Sequence, residues 1–303
     1  MSQRRSSDGP AVCVDRRRCL IALAGLMLAP RAFAFAAPGT PSRVVALDWG
    51  LIQTLLALEL APIATAENAL YRDSVREPPL PASVLELGLR SEPNLELLQQ
   101  LQPELIMIGS DQGMLQSRLN SIAPTELFET RERGTPVEQV AQLTRDVAAR
   151  TGRIAMGERY LAGGWQTLAS ARTRCAHLEV APLQVISVID ERRALIFGQG
   201  SLFNDVLVRL GLRNAWTAST NGWGYATIGF EQLAEQPDAQ LVYFNATPGL
   251  EARLARNPLW RNLPSVRSGR AIKLPEVLFY GGMPSAISFA QLLSDRLTEA
   301  SRG

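Results

Sequence analysis

The stretch GLRSEPNLELLQQLQPELIMI, Gly88 to Ile108, sets an arginine between a glycine-containing turn and an amphipathic segment that leads, past a proline, into an apolar run. A guanidinium is planar and permanently charged, and its five donors suit oxygens that carry negative charge. At the head of a helix it gains nothing from the dipole, so Arg90 needs a specific acceptor. A surface carboxylate would serve, for under about 1 kcal/mol, and so would an oxygen-rich ligand.

Catalytic chemistry is hard to place. The sequence holds one histidine, His177, at the expected end of a long helix, where a cation near a helix C-terminus is its ordinary role. There is no CxxC, no GxSxG, no P-loop and no dinucleotide fingerprint after a strand. What remains is a set of rings at expected strand ends and loops: Trp49, Tyr71, Trp223, Tyr225, Phe279 and Tyr280. Each alone reads most simply as packing. The loop STNGWGYAT, which holds Asn221 and Trp223, differs because it surrounds a large ring with small polar residues, as a binding loop would.

The elements that must position these residues show the period of an α/β protein. RVVALDW (Arg43 to Trp49) and LQVISVID (Leu183 to Asp190) are compact, β-branched runs suited to buried strands of a mostly parallel sheet. NLELLQQLQPELIMI and GFEQLAEQPDAQLVYF each pair a helix with a strand after a proline stop, and each carries a glutamate near the helix start, Glu96 and Glu231. This is a faint internal repeat. Between the halves, residues 153–176 have helical spacing throughout and would span roughly 36 Å at about 1.5 Å per residue. The organisation expected is an N-terminal α/β lobe over 41–151, a bridging helix over 152–176 and a C-terminal α/β lobe over 177–303.

Residues 1–34 read as an export signal. Arg16, Arg17 and Arg18 precede an apolar run, Ala32, Phe33 and Ala34 supply a cleavage site, and the arginine pair fits the twin-arginine type. The run is about half of the roughly 20 residues that a membrane span needs. Six arginines and two aspartates lie in this segment, so of 31 basic and 29 acidic groups the remainder keeps 25 and 27, which gives no support for nucleic-acid binding. Cys13 and Cys19 also fall in it and leave Cys175 alone, so the exported chain would fold without an internal disulfide.

Taken together, RVVALDW, YRDSVREPPLP, VLELGLRSEPNLELL, LIFGQGSLFNDVL, NAW, TNGWG, NPLWRNLPSVRSGR and FYGG resemble the periplasmic ferric hydroxamate siderophore-binding proteins of ATP-driven iron uptake, from about Arg43 to Leu297. The resemblance implies two Rossmann-like α/β lobes bridged by one long helix, a shallow cleft between them and no catalytic activity. It implies that Arg90 meets the iron-bound hydroxamate oxygens and that Trp223, Trp49, Tyr71, Phe279 and Tyr280 line the cleft, with Asn221 in the Trp223 loop. Gln112 stands where the family has a hydrogen-bonding tyrosine, and Leu278 where it has a tryptophan. Iron would enter only inside its siderophore, so neither cofactor nor protein-bound metal is expected. Glu96 and Glu231 would meet arginines of an inner-membrane ABC permease, whose ATPase drives transport, and the binding protein would be a periplasmic monomer. A haem, cobalamin or catecholate carrier of the same class is the nearest alternative. A periplasmic siderophore-processing enzyme is the alternative from another class.

Overall fold

The computed structural model describes residues 40–129, 134–245, 247 and 249–302, so the export segment expected over 1–34 lies outside the described residues. In chain order the strands are β1 (Val44–Ala46), β2 (Ala64–Thr65), β3 (Leu85–Glu86), β4 (Gly88–Leu89), β5 (Glu92–Pro93), β6 (Leu105–Gly109), β7 (Thr125–Phe128), β8 (Leu183–Val188), β9 (Arg193–Phe197), β10 (Tyr225–Gly229), β11 (Gln240–Phe244) and β12 (Ala271–Lys273). The helices that matter here are α1 (Trp49–Ala57), α2 (Asn68–Ser74), α3 (Leu95–Leu101), α4 (Pro136–Arg150), α5 (Ile154–Cys175), α6 (Leu202–Leu210) and α7 (Met283–Ala300).

The first sheet runs β3-β2-β1-β6-β7 with every neighbour parallel. Both of its faces are covered. Val44, Ala46, Leu105 and Met107 enter one apolar cluster, while Val45, Leu47, Ile106 and Ile108 enter another, as an unbroken apolar strand requires. β4 and β5 pair as a separate antiparallel hairpin, and Arg90 sits in its turn.

The second sheet repeats the same spatial order, β10-β9-β8-β11-β12, which gives the faint sequence repeat a structural meaning. It is mixed, however. β8, β11 and β12 are parallel, but β9 lies antiparallel to both β8 and β10. The cause is local: Asp190 Oδ1 accepts from the backbone N–H groups of Arg192 and Arg193 at 2.9 Å each, closing a turn far too short for a parallel crossover.

α5 is continuous over 22 residues, about 33 Å, through the pair Gly163-Gly164. Its buried stripe is Gly157, Leu161, Gly164, Leu168, Ala171 and Cys175, alternating steps of four and three so that one narrow face meets its neighbours. Two glycines in that stripe are points of close approach. A Cβ at position 157 would lie 2.7 Å from the Ala148 Cβ of α4, and one at 164 would lie 2.9 Å from Ile287 Cδ1 of α7. Gly163 has no atom within 4 Å of its would-be Cβ.

The adjacent glycines should therefore respond oppositely. Gly163→Ala is expected to stabilise the protein by roughly 0.5–1 kcal/mol, because it removes backbone freedom from the unfolded chain at no steric cost. Gly164→Leu should cost about 1–3 kcal/mol by forcing α5 away from α7. Urea denaturation of both variants checks the pair.

Candidate functional site

In the first sheet the strand order reverses at β1 and β6, and the crevice outside their carboxyl ends is where such folds place a site. Asp48 follows β1 and caps α1, its Oδ1 accepting from the Leu51 N–H at 3.0 Å. Only glycine fits opposite it, since a Cβ on Gly109 at the end of β6 would come within 2.9 Å of Asp48 Oδ2. Burial raises the Asp48 pKa, opposed by the N–H groups of Leu51 and Gly50.

Trp49, the first residue of α1, is 2% exposed and packs edge-on to the fully buried Tyr71 at 5.7 Å. The Tyr71 hydroxyl donates to the Pro78 carbonyl at 3.3 Å, and burial raises its pKa. Arg90 lies over Trp49, its Cζ 4.3 Å from that ring centroid and 5.7 Å from the centroid of Tyr280. Such cation–π stacking contributes about 0.5–2 kcal/mol and fixes the plane of the guanidinium.

Arg90 also has a carboxylate acceptor within the chain. Its Nε donates to Glu67 Oε2 at 2.7 Å, and its backbone N–H reaches Glu67 Oε1 at 3.3 Å. Burial alone would lower the Arg90 pKa, but Tyr280 and Glu67 outweigh it and the net shift is upward. Sequence reasoning missed Glu67. Its backbone is left-handed, φ +58°, an uncommon state for a residue other than glycine. It is held there by its own N–H donating to the Gly88 carbonyl and to Glu86 Oε1, both at 2.9 Å.

From the second half come Trp223, Phe279 and Tyr280. Asn221 shapes the Trp223 loop, its Oδ1 accepting from the backbone N–H of Trp223 at 2.9 Å and of Tyr225 at 3.2 Å. Gly224 then takes φ +74° hard against the start of α6, where any Cβ would meet the Ser201 nitrogen at 2.0 Å. Trp223 packs edge-on to Tyr280 at 6.2 Å, and Tyr280 stacks on Trp49 at 6.1 Å. Phe279 closes the row against Tyr280, Phe197 and Tyr225 at 4.8, 5.3 and 5.5 Å. Burial pushes the Tyr280 pKa up to about 12, with Arg90 opposing, so its hydroxyl stays protonated at neutral pH.

The glycines of FYGG explain how Tyr280 reaches Trp49. Gln53 Oε1, on α1, accepts from the Gly282 N–H at 2.9 Å and the Ser285 hydroxyl at 3.0 Å in a buried contact. A Cβ on Gly281 would lie 2.3 Å from that Gln53 oxygen and 2.1 Å from Ser285 Oγ. The backbone after Tyr280 thus lies directly on α1.

The structure joins Trp49, Tyr71, Arg90, Trp223, Phe279 and Tyr280 through a continuous chain of ring and cation contacts. Gln112 is 6% exposed, and its Oε1 accepts from the Gly109 N–H at 2.8 Å, which ties its amide to the end of β6. Leu278, 5% exposed, packs in the same apolar cluster as Trp49 and so backs Tyr280. Glu96 and Glu231 are exposed, in the first turns of α3 and of the one-turn helix Phe230–Leu233.

Two hollows lie near these elements, and only the smaller borders Tyr280. A shallow one of about 60 Å³ is bounded by Gly200, Leu202, Trp223, Phe279 and Tyr280. A larger cavity of about 500 Å³ lies elsewhere, lined by Gln53, Glu77, Glu276, Leu278 and Gln291. Its size does not make it the site, because neither the Arg90 guanidinium nor any of the joined rings lines it. Burial raises the Glu276 pKa to about 7, and its buried Oε2 has no hydrogen-bond partner among the described residues. Among the described residues no group of three or more His, Cys, Asp or Glu side chains is placed to hold a metal.

Two α/β sheets, one long helix and an aromatic cleft built from both halves define a solute-binding protein. The chain belongs to the periplasmic binding protein family, whose model matches residues 44–278. It is 34% identical over 287 residues to the iron(3+)-hydroxamate-binding protein FhuD of Escherichia coli (strain K12), covering 94% of this chain and 97% of that one. The solved structure of the Fe3+-Desferal-bound siderophore-binding protein FhuD from Vibrio cholerae matches with a TM-score of 0.80 at 25% identity, over 84% of this chain and 97% of that chain. The triscatecholate siderophore-binding protein FeuA of Bacillus subtilis shares the fold, with a TM-score of 0.69 at 15% identity over 87% of this chain and 94% of that chain.

Two outcomes follow from the packing. Gly281→Ala should lower stability by about 1–3 kcal/mol, measured by thermal melting, because the added methyl meets Gln53 and Ser285. A carboxyl whose pKa is raised on folding contributes stability below its unfolded value, and that contribution is lost as pH rises through the folded value. The Glu276 contribution should thus fade between about pH 4.5 and 7. Glu276→Gln should flatten the pH dependence of the melting temperature across that window and raise it above the parent's at pH 8.

Proposed function

We propose that this protein captures ferric hydroxamate siderophores in the periplasm and delivers them to an inner-membrane ABC importer. The observation that carries this reading is the guanidinium of Arg90, held by Glu67 over Trp49 and beside Tyr280. Glu67 engages the Nε donor, and the terminal nitrogens carry the remaining donors of the fork. Iron-bound hydroxamate oxygens carry partial negative charge and suit those donors. The half-buried rings of Trp223, Phe279 and Tyr280 supply surface for the apolar parts of the ligand, while Trp49 and Tyr71, expected to line the cleft, are buried and instead support Tyr280 and Arg90 from beneath.

Ring surface and one guanidinium bind the complex as a whole, so iron travels as cargo within its own chelator and no protein ligand to the metal is called for. The match to the hydroxamate-binding relative over nearly its whole length supports the same reading. The exposed carboxylates of Glu96 and Glu231 are the contacts proposed for arginines of the permease, with its ATPase driving transport, and the bound form is taken to be a monomer. Residues 1–34 are the proposed export signal. Binding without turnover is the proposed activity.

Tryptophan fluorescence titration of the mature chain with ferrichrome, ferrioxamine B, ferric enterobactin and haem tests this. Saturable quenching by the two hydroxamates is expected. Arg90→Ala should weaken it by tenfold or more, since a hydrogen bond from a charged group contributes about 1.5–3 kcal/mol. Tight binding of enterobactin or haem alone would overturn the hydroxamate reading.

A further inference from the structure

The shared fold leaves ligand charge undecided, because this architecture also occurs in a triscatecholate carrier. Three singly charged hydroxamates cancel the charge of iron(III), whereas catecholate or carboxylate donors leave an excess of negative charge. A bare arginine at the centre of the cleft would favour the anionic complexes. The Arg90 guanidinium is not bare.

We propose that Glu67 sets the charge selectivity of the cleft, holding Arg90 in position and offsetting its charge so that neutral or cationic ferric complexes are favoured over anionic ones. This rests on the ferric siderophore reading above. Glu67 receives Arg90 twice, from Nε and from the backbone N–H, so it fixes both the side chain and the hairpin turn that carries it. It is itself fixed. Its N–H is shared by the Gly88 carbonyl and Glu86 Oε1, and the Glu86 carboxylate also accepts from the backbone N–H groups of Asn68 at 2.7 Å and Gly88 at 2.8 Å. A backbone so anchored keeps the Glu67 carboxylate beside Arg90.

Its charge is felt because both side chains are mostly shielded, Arg90 at 27% exposure and Glu67 at 18%. Screening by salt is weaker for such partly buried groups than for surface pairs. The other ionisable groups at this spot do not add positive charge: Tyr280 stays neutral near neutral pH, and Asp48, set beside Gly109, is acidic. With Glu67 paired to it, the charge of Arg90 is therefore offset and the cleft around it carries little net positive charge. Glu67 touches Arg90, so it acts on the ligand through position and field and is a positioning residue.

The test compares ferrichrome, which is neutral, with ferric aerobactin, a hydroxamate–citrate complex with net negative charge, by fluorescence titration at low salt. Glu67→Gln is isosteric and keeps an oxygen for the Arg90 Nε while removing the charge. Its affinity for aerobactin relative to ferrichrome should rise about tenfold over the parent's. Glu67→Asp, which keeps the charge, should retain the parent ratio, whereas a merely structural role would disturb both variants alike. An unchanged ratio in folded Glu67→Gln overturns the proposal and leaves the siderophore reading standing. Should that variant fail to fold, the unsubstituted protein still decides: rising salt should leave ferrichrome binding unaffected and should not weaken aerobactin binding, and aerobactin binding that weakens with salt would overturn the proposal. If the unsubstituted protein binds neither complex, the siderophore reading fails and this inference with it.

Discussion

The contact between α1 and the backbone at Gly281-Gly282 is the constraint on which the rest of the site depends. Gln53 and Gly282 are 229 residues apart, yet one buried amide oxygen accepts from both Gly282 and Ser285. Because neither glycine carries a side chain, the segment lies against the first turns of α1, and Tyr280 is delivered onto Trp49. A buried acceptor that loses its donors keeps its full desolvation penalty, so this contact resists partial opening. The cleft is thereby built from both halves of the chain as a packed unit.

Stiffness elsewhere has the same origin. α5 meets α4 and α7 through glycines that bring helix axes close, and α4 is tied to α6 by the buried Asp205 carboxylate accepting from the Val137 N–H at 2.8 Å. Packed elements of this kind slide by small amounts and do not hinge widely. A binding protein so built presents a preformed surface, which spares the ordering cost that a closing loop would incur.

Much of this was legible in the sequence. β-branched runs located β1 and β8, and helical spacing located α5 to within a residue or two, because those patterns follow from burial alone. The GLR, TNGWG and FYGG stretches pointed to Arg90, Trp223 and Tyr280. Glu67 was not legible, because a lone acidic residue before a helix looks like a cap. Its role comes from a left-handed backbone and from Glu86, a partner 19 residues away. The burial of Gln112 and Leu278 likewise depends on what packs above them. The reversed β9 was hidden too: a tight turn around Asp190 sets strand direction, while the apolar pattern of a strand is the same in either direction.

That reversal has a consequence of its own. With β9 antiparallel, Tyr225 pairs with Phe197 at the end of the sheet where β8 begins, so the second half offers the cleft the opposite edge from the one used by the first. An internal repeat has thus produced two unlike jaws. The first carries the ion pair of Arg90 and Glu67. The second carries the half-buried rings of Trp223 and Phe279. Under the binding proposed above, substitution in the second jaw would alter the ring surface offered to a ligand without disturbing the ion pair of the first, an independence that two symmetric edges would not allow.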